Sequence, residues 1–159
     1  MLKFIIPLMS VFLLALSPNA FAQDAEEVAS ADEARAMLAR AVAAIKSDKS
    51  AAIDMFNNGE GGFLDRDLYP FCIQASDGVI VAQGGPLTDR YVGQNMRSLE
   101  DAVGKAYGEE IFAAAQRPEG EMTEVSYMFS KPIVNAPPVP KVSFITRVSD
   151  LGCGVGYYK

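Results

Sequence analysis

The chain of 159 residues has room for one domain and a targeting segment, and its 14 basic residues are outnumbered by 20 acidic ones, a net charge of −6. With no basic cluster or basic-aromatic stripe to offset that acidity, nucleic acid and anionic membrane surfaces are poor partners. Histidine is absent, which excludes His-based acid/base relays and the usual His-ligated metal sites and weakens the case for hydrolase chemistry.

Met1 to Ala22 places Lys3 before an apolar stretch from Phe4 to Leu16, then Ser17-Pro18-Asn19 and a small-x-small end, Ala20-Phe21-Ala22. This is the pattern of a bacterial secretory signal cut before Gln23. The apolar run falls short of the ~20 residues a membrane helix needs and is interrupted by Pro7 and Ser10, so cleavage is expected rather than retention as an anchor. No cysteine stands at the cleavage site to take a lipid, and no other stretch is long enough to span a bilayer. Loss of the leader removes Lys3 and no acid, leaving 13 basic against 20 acidic residues, a net charge of −7. Acidity of this kind keeps an exported protein soluble and needs no ligand to account for it.

Asp24 to Phe56 is helical in pattern. Ser30-x-x-Glu33 has capping-box spacing, and Ala34, Met37, Leu38, Ala41, Val42 and Ile45 follow at three- and four-residue steps. Asp48 is placed to cap a second helix carrying Ala52, Ile53, Met55 and Phe56, and Asn57-Asn58-Gly59-Glu60-Gly61-Gly62 ends it. From Tyr69 the spacing changes to two, with Tyr69, Phe71, Ile73 and Ala75 on one side and Pro70, Cys72 and Gln74 on the other. Asp77-Gly78 supplies a turn and Val79 to Ala82 resumes the apolar run, a β-hairpin. Gly84 to Gly104 has no periodicity and reads as a long loop anchored by Met96 and Leu99. Tyr107, Ile111, Phe112 and Ala115 restore helical spacing from Tyr107 to Gln116, and Arg117-Pro118 closes it. Glu121 to Phe129 alternates, with Thr123, Val125, Tyr127 and Phe129 on one face. Ile133 to Pro140, holding Pro137, Pro138 and Pro140, is too proline-rich for a ladder and reads as an extended connector. Lys141 to Ser149 is a strand with Val142, Phe144, Thr146 and Val148 on one side. Asp150-Leu151-Gly152 turns it into a last strand, Cys153 to Tyr158. Five strands, an N-terminal helical segment and one intermediate helix make an α+β domain with an antiparallel sheet.

Several of these pieces, in their order, resemble a known family. They are Tyr69-x-Phe71, Asp77-Gly78-x-Ile80-x-Ala82, Val92-Gly93-Gln94-Asn95 and Asp101-x-x-Gly104-Lys105 in the first half. In the second half they are Val125-Ser126-Tyr127-Met128-Phe129 with Pro132, Lys141-Val142-Ser143-Phe144-Ile145, and Gly152-Cys153-Gly154-Val155-Gly156-Tyr157-Tyr158. Together they resemble the single Cache domain, an extracytoplasmic small-molecule sensor of bacterial receptors related in shape to PAS domains. The resemblance runs from Ala31 to Lys159 and rests on order and spacing rather than on one diagnostic motif. It implies a PAS-like five-stranded sheet with the first and last strands adjacent at its centre and a long N-terminal helix. The chain then divides into a signal peptide (1–22), an N-terminal helical segment (23–62) and a Cache sensor core (63–159). In receptors of the family the first helix continues from the membrane, whereas here it starts just after a cleavable signal and has nothing to transmit to within its own chain.

Cys72 and Cys153 are the only cysteines, and the signal sends them to an oxidising compartment. If the first and last strands are neighbours, as the resemblance implies, the two can face each other and close a loop of about 80 residues, worth on the order of 4 kcal/mol in the chain-entropy picture. The alternative is a pair of buried thiols serving as small apolar residues. The disulfide is the expectation; without a C-x-x-C pair, a redox-catalytic role is not. Gly152-x-Gly154-x-Gly156 is not a dinucleotide motif, because no helix follows it; its glycines would let another backbone or a ligand approach. Gly104-Lys105 lacks the earlier glycine and the hydroxyl of a phosphate loop.

Lys141 opens the fourth strand, close to where Tyr127 and Phe129 end the third. An ammonium and a phenol beside aromatic walls suit a small carboxylate, which the one neutralises and the other hydrogen-bonds. On the residues alone the plainer account is a solvated lysine over ordinary core aromatics. The resemblance tips the balance, because a cation in this strand and a tyrosine in the preceding one recur where Cache domains hold their ligands. Phe71 and Tyr91 carry over as pocket wall and covering-loop residue. The family often has a histidine-proline or histidine-glycine pair after the second strand where this chain has Gln83-Gly84, so the identity of the ligand does not transfer. Glu109-Glu110 and Asp65-x-Asp67, the remaining carboxylate candidates, read as solvated.

The expectation is a periplasmic or secreted sensing module without catalytic activity, cofactor or metal. It binds a small organic ligand, a short carboxylate among the candidates, between the sheet and the Gly84 to Asn95 loop. No kinase, methyl-accepting or membrane segment follows Lys159, so its signal is expected to pass by contact with a separate membrane receptor or kinase. The competing expectation is a ligand-free interaction module, its pocket filled by its own side chains, that regulates an envelope or receptor partner. An enzyme would need a convergent nucleophile or base, and the sequence offers none.

Overall fold

Residues 28–131 and 135–159 are described by the computed structural model; the expected signal segment, Met1 to Ala22, lies outside them. Helix α1 (Ala31–Ser47) starts where its capping box puts it. Ser30 Oγ accepts the Glu33 N–H and the Glu33 carboxylate accepts the Ser30 N–H at 2.8 Å. That is the start the Ser30-x-x-Glu33 spacing predicts, and the earlier part of the expected helical stretch, Asp24 to Glu27, lies outside the described residues. Asp48 ends α1 and caps α2 (Lys49–Asn58) through the Ala51 N–H at 3.0 Å. Ala34, Met37, Leu38, Ala41 and Ile45 of α1, with Ala52 and Phe56 of α2, form one buried stripe.

That stripe lies on an antiparallel sheet whose five strands, among the described residues, run in the order β2-β1-β5-β4-β3. Strand β1 (Pro70–Gln74) and β2 (Ile80–Gln83) are the expected hairpin, with Asp77 Oδ1 accepting the Val79 N–H in the turn. Strands β3 (Met122–Ser130), β4 (Pro138–Val148) and β5 (Leu151–Tyr158) complete it. The first and last strands are neighbours at the centre, paired Pro70↔Val155 through Gln74↔Leu151. Cys72 is opposite Cys153 in that register, and the two form a disulfide, both wholly buried.

Two expectations about elements need correction. The proline-rich connector is in its second half the beginning of β4, with Pro138 opposite Ser130 and Pro140 opposite Met128. In a strand the N–H and C=O of one residue point the same way. The Pro140 carbonyl faces the end of β5, where it accepts the Lys159 N–H at 3.0 Å. The N–H that Pro138 lacks would therefore point where β5 has run out, and Pro140 stands at the very end of that pairing, where its carbonyl alone bonds Lys159. The loop after β2 also holds local order: single turns at Gly85–Leu87 and Met96–Ser98 and a short helix α3 (Thr88–Tyr91). Met96 is buried and Leu99 packs beside it, the anchors expected.

The second face of the sheet is covered by this loop and by α4 (Tyr107–Ala114), which stops two residues short of the expected Gln116. Both faces of β4 are therefore buried, and its alternation selects between two cores rather than between core and water. Phe144 and Val148 face the α1 side, while Ile145 faces the α4 side with Phe71, Ile73 and Tyr127. The β5 glycines face α4 as well, and both side chains and neighbouring backbone approach them closely, the Phe144 carbonyl among the latter at Gly154. A Cβ at Gly152 would collide with Ala115, and one at Gly156 would stand 2.6 Å from Cε of Lys141.

Candidate functional site

Lys141 does not end a strand in solvent. It lies inside β4, opposite Tyr127 of β3 on one side and Tyr158 of β5 on the other, and is only 3% exposed. Its Nζ donates to the Tyr69 hydroxyl at 3.0 Å and sits 4.6 Å from the ring centres of Tyr69 and Tyr158 and 5.0 Å from that of Phe129. An ammonium carries three donors, and among the described residues only one is used; no carboxylate lies within ion-pair distance. Burial pushes the lysine below its ordinary 10.5, with Tyr127 and Asp67 pulling the other way. The aromatic faces offset part of the desolvation by cation–π attraction but supply no counter-charge.

Tyr127 is buried beside it, its hydroxyl 2.8 Å from Ser143 Oγ and its ring stacked on Tyr107 at 4.3 Å. Burial pushes the phenols of Tyr127, Tyr69, Tyr107 and Tyr158 upward, so they remain protonated donors across the physiological range. Phe71, Tyr91, Tyr127, Phe129 and Lys141, the residues singled out from the sequence, all line one inner chamber between the sheet, α4 and the loop. Its volume is about 20 Å³, space for roughly one water. A second, open hollow of about 690 Å³ lies outside it, under Pro86, Leu87 and Arg90. Tyr91, Leu99, Tyr107 and Phe129 line both.

Sequence reasoning missed Tyr69 and Tyr107 as site residues. Tyr69 shares the two-residue spacing of Phe71, which was signal enough to place it on the same face; Tyr107 showed only as one apolar step of a helix. Gln83, singled out for its departure from the family pattern, also lines the chamber and is buried. Of the other carboxylates, Glu109 and Glu110 are exposed, paired with Arg97 at 3.2 Å and Lys105 at 2.9 Å. Asp67 is not simply solvated: Oδ1 accepts the Ala29 N–H at 3.1 Å, and buried Oδ2 has no partner among the described residues. Among those residues no cluster of Cys, Asp or Glu is arranged to hold a metal ion, and no helix is long and apolar enough to cross a membrane.

No protein-family model matches the chain, and no curated protein does. Solved structures do. A methyl-accepting chemotaxis protein from Vibrio parahaemolyticus RIMD 2210633 superposes with a TM-score of 0.63 at 24% identity, over 80% of this chain and 86% of that one. The periplasmic sensor domain of a chemotaxis protein superposes at 0.56 and 21% identity, over 80% and 88%. A structure described as the basis for carboxylic acid recognition by a Cache chemosensory domain superposes at 0.55 and 19% identity, over 80% and 86%. The fold is that of a single Cache-like sensor domain: a five-stranded antiparallel sheet, central first and last strands, and an N-terminal helix across one face.

Proposed function

We propose that this is a periplasmic sensing module, exported by a signal at 1–22 and not an enzyme, that binds a small organic carboxylate with its charged end at Lys141. The observation that carries the reading is a buried ammonium with, among the described residues, a single hydrogen bond and no carboxylate partner. A charge so placed costs several kcal/mol until something neutralises it. A ligand carboxylate would take the two unused lysine donors, and the Tyr127 and Tyr69 phenols lie beside it as neutral donors. The likeness in fold to a Cache domain that recognises a carboxylic acid supports the same choice. The buried disulfide accords with an oxidising compartment. The signal passes by contact with a separate membrane receptor or kinase.

One observation favours the second reading, an interaction module without ligand: the chamber as it stands admits only about one water. Binding therefore requires the covering loop to give way. Calorimetry of the mature protein against acetate, propionate, lactate and pyruvate decides between the two. The sensor binds at least one of them, and Lys141→Met weakens it by about thirtyfold or more, the cost of removing one partner of a buried charge pair. A folded wild-type protein that takes up none of a broad panel of small acids supports the module instead.

A further inference from the structure

The two hollows are divided by a wall of four side chains, Tyr91, Leu99, Tyr107 and Phe129. Three of them are held. Tyr107 is buried and stacked on Tyr127, Phe129 stands edge-on to both rings, and the backbone of Leu99 is tied to Met96 at 3.0 Å and to Gly108 at 3.2 Å. Tyr91 is not held. It is half-buried, its hydroxyl makes no hydrogen bond among the described residues, and its ring neighbours are Phe129, tilted at 6.2 Å, and the guanidinium of Arg90 at 5.3 Å. It ends the single turn of α3, between Gly85 and Gly93, whose φ angles of 77° and 89° only glycine adopts readily. Removing this ring breaks no side-chain hydrogen bond, whereas enlarging the inner chamber by another route would separate close-packed core side chains. Beyond the ring, Pro86, Leu87 and Met128 give the outer hollow an apolar strip beside a rim that includes Arg90, Glu100 and Lys131, and its volume of about 690 Å³ is that of an ordinary small-molecule site.

We propose that the Tyr91 ring is the specificity-determining partition of this site and sets how long a tail can follow a head group held at Lys141. Short tails stay inside; longer apolar tails reach the outer hollow only where the ring is absent. The inference rests on the carboxylate reading for the nature of the head group, but its own content is the tail. Each methylene newly buried beyond the wall is worth about fourfold in affinity.

The test is calorimetric titration of acetate, butyrate, hexanoate and octanoate, with the matching straight-chain alcohols, into the wild type and Tyr91→Ala, Tyr91→Val, Tyr91→Phe and Lys141→Met. Tyr91→Val serves where the alanine variant melts early. The wild type is expected to favour the short acids. Tyr91→Ala or Tyr91→Val gains about fourfold per methylene from butyrate upward, with acetate changed by less than about twofold, and Tyr91→Phe behaves as the wild type. One dependence on tail length shared by the wild type and the truncated variants overturns the partition, as does Tyr91→Phe behaving like alanine. Acids that depend on Lys141 but show no shift in length remove the partition and leave the carboxylate reading. A length shift seen in the alcohols, with no preference for acids, removes the carboxylate and leaves the partition. Binding of neither series to any of these proteins overturns both.

Discussion

Lys141 has an ordinary neighbourhood in everything except charge. Aromatic rings surround it on three sides, one phenol accepts a hydrogen bond, and the aliphatic stem runs past Gly156, where any side chain would block it. In the absence of ligand, a methionine there should fit the same space without the desolvation cost. Lys141→Met is thus expected to be as stable as the wild type or up to about 2 kcal/mol more so, by urea denaturation. The pH dependence follows from the lowered pKa. Between the folded value and the ordinary 10.5, the unfolded chain holds a proton that the folded one has released. Wild-type stability should therefore rise with pH through that interval, and Lys141→Met should lack the rise. The comparison belongs below pH of about 10, above which the raised phenols reverse the slope, because the unfolded chain then loses tyrosine protons that the folded one keeps. Identical slopes in the two proteins would mean that Lys141 is not desolvated. None of this was legible from the residue itself. In sequence, Lys141 begins an apolar run and looks like its solvated end; what buries it is β5, Tyr69 and the loop, each distant in the chain. Only the family resemblance marked it out.

Among the elements, those with their own local chemistry were readable: the Ser30 capping box, the Asp48 cap and the Asp77-Gly78 turn all make the hydrogen bonds their spacing requires. The start of β4 was not, because the argument against proline in a strand assumes a partner on both sides, and β5 ends before Pro138. The short turns of the covering loop escaped too, being too brief to show a period. Their side-chain bonds are local, as where Thr88 Oγ1 donates to the Gln83 carbonyl at 2.6 Å and Asn95 Oδ1 accepts the Arg97 N–H at 3.0 Å; beyond them Asp101 accepts the N–H groups of Val103 and Lys105 and, across to the edge of β3, of Met128 at 2.9 Å. Those bonds hold its pKa below the ordinary 3.8. The β5 glycines permit a direct separation of packing from binding. Gly152→Ala and Gly156→Ala should each cost about 1–3 kcal/mol of stability, since both force a methyl group into a filled space. Only Gly156→Ala displaces Lys141, so only it should weaken carboxylate binding in calorimetry. Equal losses of affinity in the two variants would show that the effect is general loosening of the sheet.

For the molecule as a whole, the decisive pairing is the most distant one. Cys72 and Cys153 are 81 residues apart, and their bond fastens the central pair of strands. Replacing both by alanine should lower stability by about 4 kcal/mol through the restored freedom of the unfolded chain, read as a drop in the urea midpoint. An unchanged midpoint would mean that the staple adds nothing to the sheet. With both sulfurs at 0% exposure, a thiol reductant should act on the folded protein only as fast as it opens.

The place of β5 has a further consequence for how such a molecule comes into being. Synthesis proceeds from the amino end, so the hairpin of β1 and β2 and the strands β3 and β4 exist before the segment that lies between them. Until Leu151 to Tyr158 emerges there is nothing to join one pair to the other, and neither the aromatic box nor the staple can form. The sheet is thereby expected to stay in two halves until its last-made strand is available to lie between them.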